Sequence, residues 1–278
     1  MTQSRIGFIG GGNMARAIAA GMLDSGVAAG GLLIADPDAD ARRRLADALP
    51  GVTVTSDNDA VVRASDCVVL AVKPQVMPEV CDALSAVVQP HKPLIVSIAA
   101  GVRSDDIDRW LGGDLAVVRV MPNQPALLRR GISGLYANAR TSAAQLERAT
   151  GIMAAVGDVV TVDTESDLDA VTAVSGSGPA YFFVLIDALR QSAVDLGLDP
   201  AAARRLAVET ARGAAELALH EKAGLDELIA RVRSPGGTTE AALEVLDREN
   251  VRAIFSRAIT AARDRSAELG RPHDTDRN

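Results

Sequence analysis

Arg5-Ile6-Gly7-Phe8-Ile9-Gly10-Gly11-Gly12-Asn13-Met14-Ala15 is the stretch whose reading decides the fold. A short apolar strand runs into three glycines and then into a helical pattern. In such a turn the first glycine permits the tight bend, the second lets a pyrophosphate approach the backbone, and a small third residue lets helix and strand pack closely. Gly10, Gly12 and Ala15 fill those places. The stretch follows a strand, opens a helix and begins a βαβ unit. It therefore predicts a dinucleotide cradle rather than a plain tight turn.

Working outward, Val/Ile/Leu-rich runs recur at 5–10, 32–36, 52–55, 67–72, 94–99, 116–121 and 158–163, with helical patterns between them. Continuous apolarity, rather than alternation, means strands buried on both faces, as a parallel sheet covered by helices requires. The expected fold class is α/β: a doubly wound, Rossmann-type domain over residues 1–163, then an all-helical domain over 164–278. The helix starts there are marked by Gly178-Pro179, Asp199-Pro200 and Gly237-Thr238. The run from Tyr181 to Ile186 is apolar all the way round, and the last helix carries Val251, Ile254, Phe255, Ala258, Ile259, Ala262 and Leu269 on one stripe. A helix with no polar face needs partners on every side, which points to an intertwined homodimer, with a central helix in a monomer as the alternative. The polar tail from Arg271 to Asn278 is expected to fray.

A second motif lies far from the first. Ser234-Pro235-Gly236-Gly237-Thr238-Thr239 precedes an amphipathic helix, leaving backbone N–H groups and hydroxyls at a helix start, where the dipole favours a small anion. This loop is expected to hold a substrate carboxylate; the plainer reading is an ordinary loop with a capped helix. At the C-terminal edge of the sheet, where ligands of open α/β folds sit, fall Ala71-Val72-Lys73-Pro74 and Ser97-Ile98-Ala99-Ala100-Gly101. Asp36 ends the second strand, 24 residues after Gly12, where an acid takes the ribose hydroxyls of NADH and repels the 2'-phosphate of NADPH. Arg42, Arg43 and Arg44 just beyond form either a solvated basic face or a reach back to that phosphate, so both cofactors stay open.

The bulk properties narrow the partners. The 278 residues are 48% apolar, enough for packed cores, while a net charge of −7 and 3% aromatic content argue against nucleic acid. No stretch approaches about 18 uninterrupted apolar residues and no signal peptide is visible, so a soluble cytoplasmic protein without membrane association is expected. Cys67, Cys81 and three scattered histidines show no metal-ligand spacing or disulfide pattern.

With these segments in place the chain resembles the pyrroline-5-carboxylate reductases along essentially its whole length. The resemblance is carried by Gly10 to Ala15, Ala71 to Pro74, Ser97 to Gly101, Arg119-Val120-Met121-Pro122-Asn123, Ser175-Gly176-Ser177-Gly178-Pro179-Ala180-Tyr181 and Ser234 to Thr239. It implies NAD(P)H-dependent reduction of 1-pyrroline-5-carboxylate to proline by a homodimer that can assemble further, into a larger ring. It also implies that Asn58 and Lys73 touch the cofactor, that Glu165 lies by the substrate, and that Thr238 and Thr239 contact it. The candidate cofactor contacts are thus Ile9, Gly10, Gly11, Gly12, Asn13, Met14, Asp36, Asn58, Ala71, Val72, Lys73, Pro74, Ala99 and Ala100. The candidate substrate contacts are Glu165, Gly236, Gly237, Thr238 and Thr239, with Thr239 as the catalytic contact to the ring nitrogen. Two positions depart from the family: Asp36 stands where a hydroxyl residue is common, and Ala230-Arg231 where an acidic and then an uncharged polar residue is frequent.

Residues 164–278 contain one lysine, Lys222, and two histidines, His220 and His273, all outside the motifs. A carbonyl reductase needs an acid for the developing alkoxide, whereas a cyclic imine can arrive already protonated. The census thus favours an imine over the substrate of a β-hydroxy acid dehydrogenase, whose helical domain usually supplies a lysine. A non-catalytic dinucleotide sensor is the rival from another class.

Overall fold

The computed structural model describes residues 5–270, so the tail expected to fray lies outside the described residues. Chain contacts separate two units, Met1–Ser177 with Ala262–Asn278, and Gly178–Ala261. In the first unit, β1 (Ile6–Ile9), α1 (Asn13–Asp24), β2 (Leu32–Ala35), α2 (Ala39–Ala48), β3 (Thr53–Thr55) and α3 (Asn58–Arg63) form the first half. The second half runs through β4 (Cys67–Leu70), α4 (Met77–His91), β5 (Leu94–Ser97), α5 (Ser104–Trp110), β6 (Val117–Met121), β7 (Gly131–Ala137), α6 (Ala143–Ala154), β8 (Gly157–Thr161) and α7 (Asp167–Val171).

The eight strands lie in the order β3-β2-β1-β4-β5-β6-β7-β8. β1 pairs in parallel with both β2 and β4, so the winding reverses between β1 and β4, the place where doubly wound folds open a ligand crevice. The apolar runs become strands because both faces are covered. Phe8, Ile34, Val69 and Val96 pack with Ile18 and Ile152 on one side, and Ile9, Val68, Leu70 and Ile95 with Met77, Leu84 and Ile107 on the other. Each large side chain so buried contributes about 1.5–3 kcal/mol. Cys67 and Cys81 are free thiols inside this core, and burial pushes both up to about 12.

The sheet departs from the expected seven parallel strands at its far edge, where β8 pairs in parallel with β7 and so, like it, runs opposite to the first six. β7 is an eighth strand and runs antiparallel to β6, with Arg119 opposite Tyr136. Its sequence, Gly131-Ile132-Ser133-Gly134-Leu135-Tyr136-Ala137, has two glycines and mixed polarity, a poor strand signal. The glycines are there for space: a Cβ on Gly134 would stand 2.6 Å from the Val171 side chain, and one on Gly131 2.9 Å from the backbone of Ala126.

Gly178-Pro179 begins a helix as expected, but the chain enters it directly from the helical turns before it. From α7 the chain passes through a π turn over Thr172–Gly176 into α8 (Gly178–Asp195). Ser177 N donates to Thr172 O at 2.8 Å, one residue farther than an α-helix would reach. Proline 179 has no N–H for the carbonyl of Ser175. That carbonyl instead accepts from Asn123 Nδ2 at 3.2 Å, while Asn123 Oδ1 accepts from Ile132 N at 3.0 Å. A Cβ on Gly176 would meet Met121 Cε at 2.5 Å. The glycines and proline of this motif are thus a packing device.

The second unit is helical: α8, α9 (Pro200–His220), α10 (Leu225–Val232), α11 (Thr238–Arg248) and the greater part of α12 (Val251–Leu269). α9 starts at its expected cap, where the Asp199 carboxylate accepts from Ala201 N and Ala202 N. Within a single chain this unit leaves Phe182, Phe183, Val184 and Leu185 of α8 between 47% and 71% exposed, together with Leu217, Val232 and Ile254. The helical run Asp167–Asp195 is by length and composition long and apolar enough to cross a membrane, with only 17% of its most apolar window buried. Such a surface on folded helices calls for a partner.

Candidate active site

The glycine turn has the geometry that its sequence predicts. Gly10 has φ +97°, and a Cβ there would lie 2.7 Å from Ala71 O, so only glycine lets β1 and β4 end side by side. Gly12 caps α1 with extended φ and ψ, is exposed, and has nothing within 4 Å of where a Cβ would stand. Space above it, at the positive end of a twelve-residue helix, fits a pyrophosphate. Ala15 is buried beneath, which lets α1 settle onto the sheet.

Asp36 follows β2 directly and is held by the turn itself. Its Oδ2 accepts from Gly11 N at 2.8 Å and its Oδ1 from Asp38 N at 2.9 Å. The carboxylate is therefore a fixed negative charge beside the glycines. Of the three arginines that follow, Arg42 donates to the carbonyls of Asp36 and Pro37, and Arg43 pairs with Asp40. Arg44 is exposed and has no ion pair among the described residues.

The other cofactor candidates sit on the same sheet edge. Ala71 N donates to Ile9 O at 2.8 Å, and Ile98 N to Leu70 O at 3.2 Å, so the ends of β1, β4 and β5 lie in step. Lys73 caps a 3-10 turn over Pro74–Val76; its ammonium is exposed and unpaired among the described residues, free for a phosphate or a ribose. Asn58 is half-buried at the start of α3, whose cap is Asp57. Ala99 is buried and Ala100 exposed, just past β5.

Glu165 precedes α7, and its surroundings were not legible in the sequence. Its Oε1 accepts from Arg119 Nη1 at 2.8 Å and from Ser104 N at 2.6 Å. Arg119 projects from β6 with 6% of its side chain exposed; burial pulls its proton affinity below the ordinary value and Glu165 opposes that. Removing either partner of such a buried pair costs about 3–5 kcal/mol. The phenol of Tyr136, opposite Arg119, is raised first by burial and then by the charge of Glu165. Arg119 and Asn123, the ends of one motif that carries the resemblance, both serve the protein's own polar groups.

In the helical unit, Thr238 and Thr239 form the first turn of α11 behind the cap Gly237. Gly236 has φ +68°, the left-handed bend that the loop needs. The amides differ from the expected set of donors. Gly236 N is taken by the Glu240 carboxylate at 2.8 Å and Gly237 N by Ser234 O at 2.9 Å. Among the described residues, the donors left over include Thr238 N and Thr239 N, with the two hydroxyls. Glu240 also receives Arg233 Nε at 3.3 Å, and the Gly236 amide, more than the arginine, holds its carboxyl below the usual range. The loop thus already binds one carboxylate, its own. Arg231, at the family's divergent position, is paired with Glu227 and Glu221.

An open glycine turn on a doubly wound sheet, followed by a helical unit with a second anion-binding helix start, defines a two-unit NAD(P)-dependent oxidoreductase. The chain is 48% identical over 269 residues to the pyrroline-5-carboxylate reductase of Pseudomonas aeruginosa, covering 97% of this chain and 98% of the relative. It belongs to the pyrroline-5-carboxylate reductase family. The enzyme of that name from Haemophilus influenzae is 38% identical, covering 97% of this chain and 98% of its own. Residues 165–269 match the family described as pyrroline-5-carboxylate reductase dimerisation, and residues 5–101 the one described as NADP oxidoreductase, coenzyme F420-dependent. Among solved structures, a pyrroline-5-carboxylate reductase from Coxiella burnetii superposes with a TM-score of 0.93 at 40% identity, covering 98% of this chain and 100% of that one. The Plasmodium falciparum pyrroline carboxylate reductase with NADP bound does so at 0.84 and 26%, covering 97% and 99%.

Proposed function

We infer that the chain reduces the cyclic imine 1-pyrroline-5-carboxylate to L-proline with NADPH or NADH, the last step of proline biosynthesis. The observation that carries this reading is family membership along 97% of the chain, with the glycine turn and the threonine-bearing helix start both intact. When bound, the reduced nicotinamide supplies a hydride to the imine carbon. The chain binds and orients. The backbone from Ile9 to Met14 and the start of α1 receive the pyrophosphate, Asp36 the adenosine ribose, and Asn58, Ala71 to Pro74, Ala99 and Ala100 the remainder of the cofactor.

At α11 the amides of Thr238 and Thr239 take the substrate carboxylate, and Gly236 and Gly237 shape the turn that leaves those amides free. The Thr239 hydroxyl meets the ring nitrogen and fixes the face presented for reduction. Glu165 lies beside the substrate. Protonation of the imine before binding removes the need for a side-chain acid. The active form is a cytoplasmic homodimer without membrane attachment, assembled through residues 165–269 and able to build a larger ring.

Initial rates with both cofactors on 1-pyrroline-5-carboxylate and its six-membered homologue test the reading. Proline formed with at least one cofactor, faster than the six-membered product, supports it. No proline with either overturns it.

A further inference from the structure

Arg119 occupies a strand position where a hydrophobe would serve the core. Its neighbours on β6 are Val117, Val118 and Val120, all buried. A buried ion pair is a poor stabiliser, because apolar residues of similar volume often do as well or better. The pair therefore needs another reason, and its third member supplies one. Glu165 binds the first amide of α5 with the same oxygen that meets Arg119.

The residue before that amide is held as well. Arg103 Nη2 reaches Asp169 Oδ2 at 3.0 Å, and Asp169 Oδ1 accepts from Ser266 Oγ at 2.8 Å. Two carboxylates four residues apart thus grip adjacent residues, one through the backbone and one through a side chain. On another side Gly101, at φ +74°, lies against Leu269, where a Cβ would stand 3.3 Å from the leucine Cβ. The segment between β5 and α5 has little freedom. It begins with Ala99 and Ala100, two of the proposed cofactor contacts.

We propose that Arg119 and Glu165 are positioning residues for hydride transfer, which hold the backbone from Ala99 to Ser104 at the C-terminal end of β5 against the nicotinamide half of the cofactor. This rests on the reductase reading. A displacement of about 1 Å at such a surface costs on the order of 100-fold in rate, without requiring weaker substrate binding.

The test compares Arg119→Lys, Glu165→Gln and the double replacement Arg119→Met with Glu165→Leu, which removes both charges and keeps the volume. The double variant should melt within about 5 °C of the parent, lose roughly 30-fold or more in kcat, and exchange the amides of Ala100 to Ser104 about 10-fold faster. Arg119→Lys, which keeps the charge, should recover most of kcat, and Glu165→Gln should fall between. Near-parental kcat or near-parental exchange in the double variant would overturn the proposal. If the parent itself yields no proline, the substrate assignment falls, and the exchange rates together with NADPH and NADH affinity by fluorescence titration still decide whether the pair holds this segment.

Discussion

Thr239 has a free amide and a hydroxyl at a helix start, and in the proposed complex both go to the bound imine. Replacing Thr239 by alanine should lower kcat/KM about 10- to 100-fold, the roughly 1.5–3 kcal/mol of one hydrogen bond to a charged group, with the circular dichroism spectrum unchanged. At the other cradle the Asp36 carboxylate is clamped by two amides, so it cannot swing away from a 2'-phosphate. Asp36→Ser removes that fixed charge and should raise the NADPH to NADH ratio of kcat/KM, read from initial rates with each cofactor. An unmoved ratio would shift the choice to the exposed Arg44. The sequence showed that an acid stood at Asp36; its two amide partners, and the commitment of Arg42 and Arg43 to other groups, emerge only in the folded chain.

The start of α11 is held by Glu240, which bonds the Gly236 amide and Arg233. The carboxyl is lowered by those contacts, so its folded value lies below its unfolded one near 4.5. The sign follows: the ionised bond is fully formed above the ordinary glutamate range and is lost as pH falls through the lowered value. The KM for the imine should therefore carry no Glu240 titration from neutral pH down through the ordinary glutamate range, and should rise only as pH falls through the lowered value. Glu240→Gln, which keeps a hydrogen-bonding side chain without the charge, should flatten that acid limb in a pH series of initial rates. Most elements were legible before the fold was known, because continuous apolar runs and helix-start residues depend on local chemistry. β7 was not, since Gly131 and Gly134 answer to Ala126 and Val171, which are local in space only. The π turn was hidden for the same reason: the carbonyl freed by Pro179 finds its donor in Asn123, 52 residues back from Ser175. In the candidate site the glycines and threonines announced themselves by type, while the link from Arg119 through Glu165 to Ser104 joins three segments with no shared motif.

The apolar face of α8 and the match of residues 165–269 to a dimerisation family belong together. A charged residue there, as in Phe183→Glu, should shift the mass seen by light scattering from dimer or higher toward monomer and lower Tm in a concentration-dependent way, since association that stabilises only the folded chain enters through mass action. Activity should fall with the dimer fraction. An unchanged mass at micromolar concentration would remove this face from the interface. The two cysteines carry a different consequence. Both thiols are sealed in the core of the nucleotide-binding unit and stay protonated at any physiological pH. Alkylating agents and peroxide attack thiolates, so the native enzyme offers them no purchase there. Labelling at either sulfur then becomes a clock for opening of the sheet, and oxidative stress leaves this catalyst untouched at cysteine for as long as it stays folded.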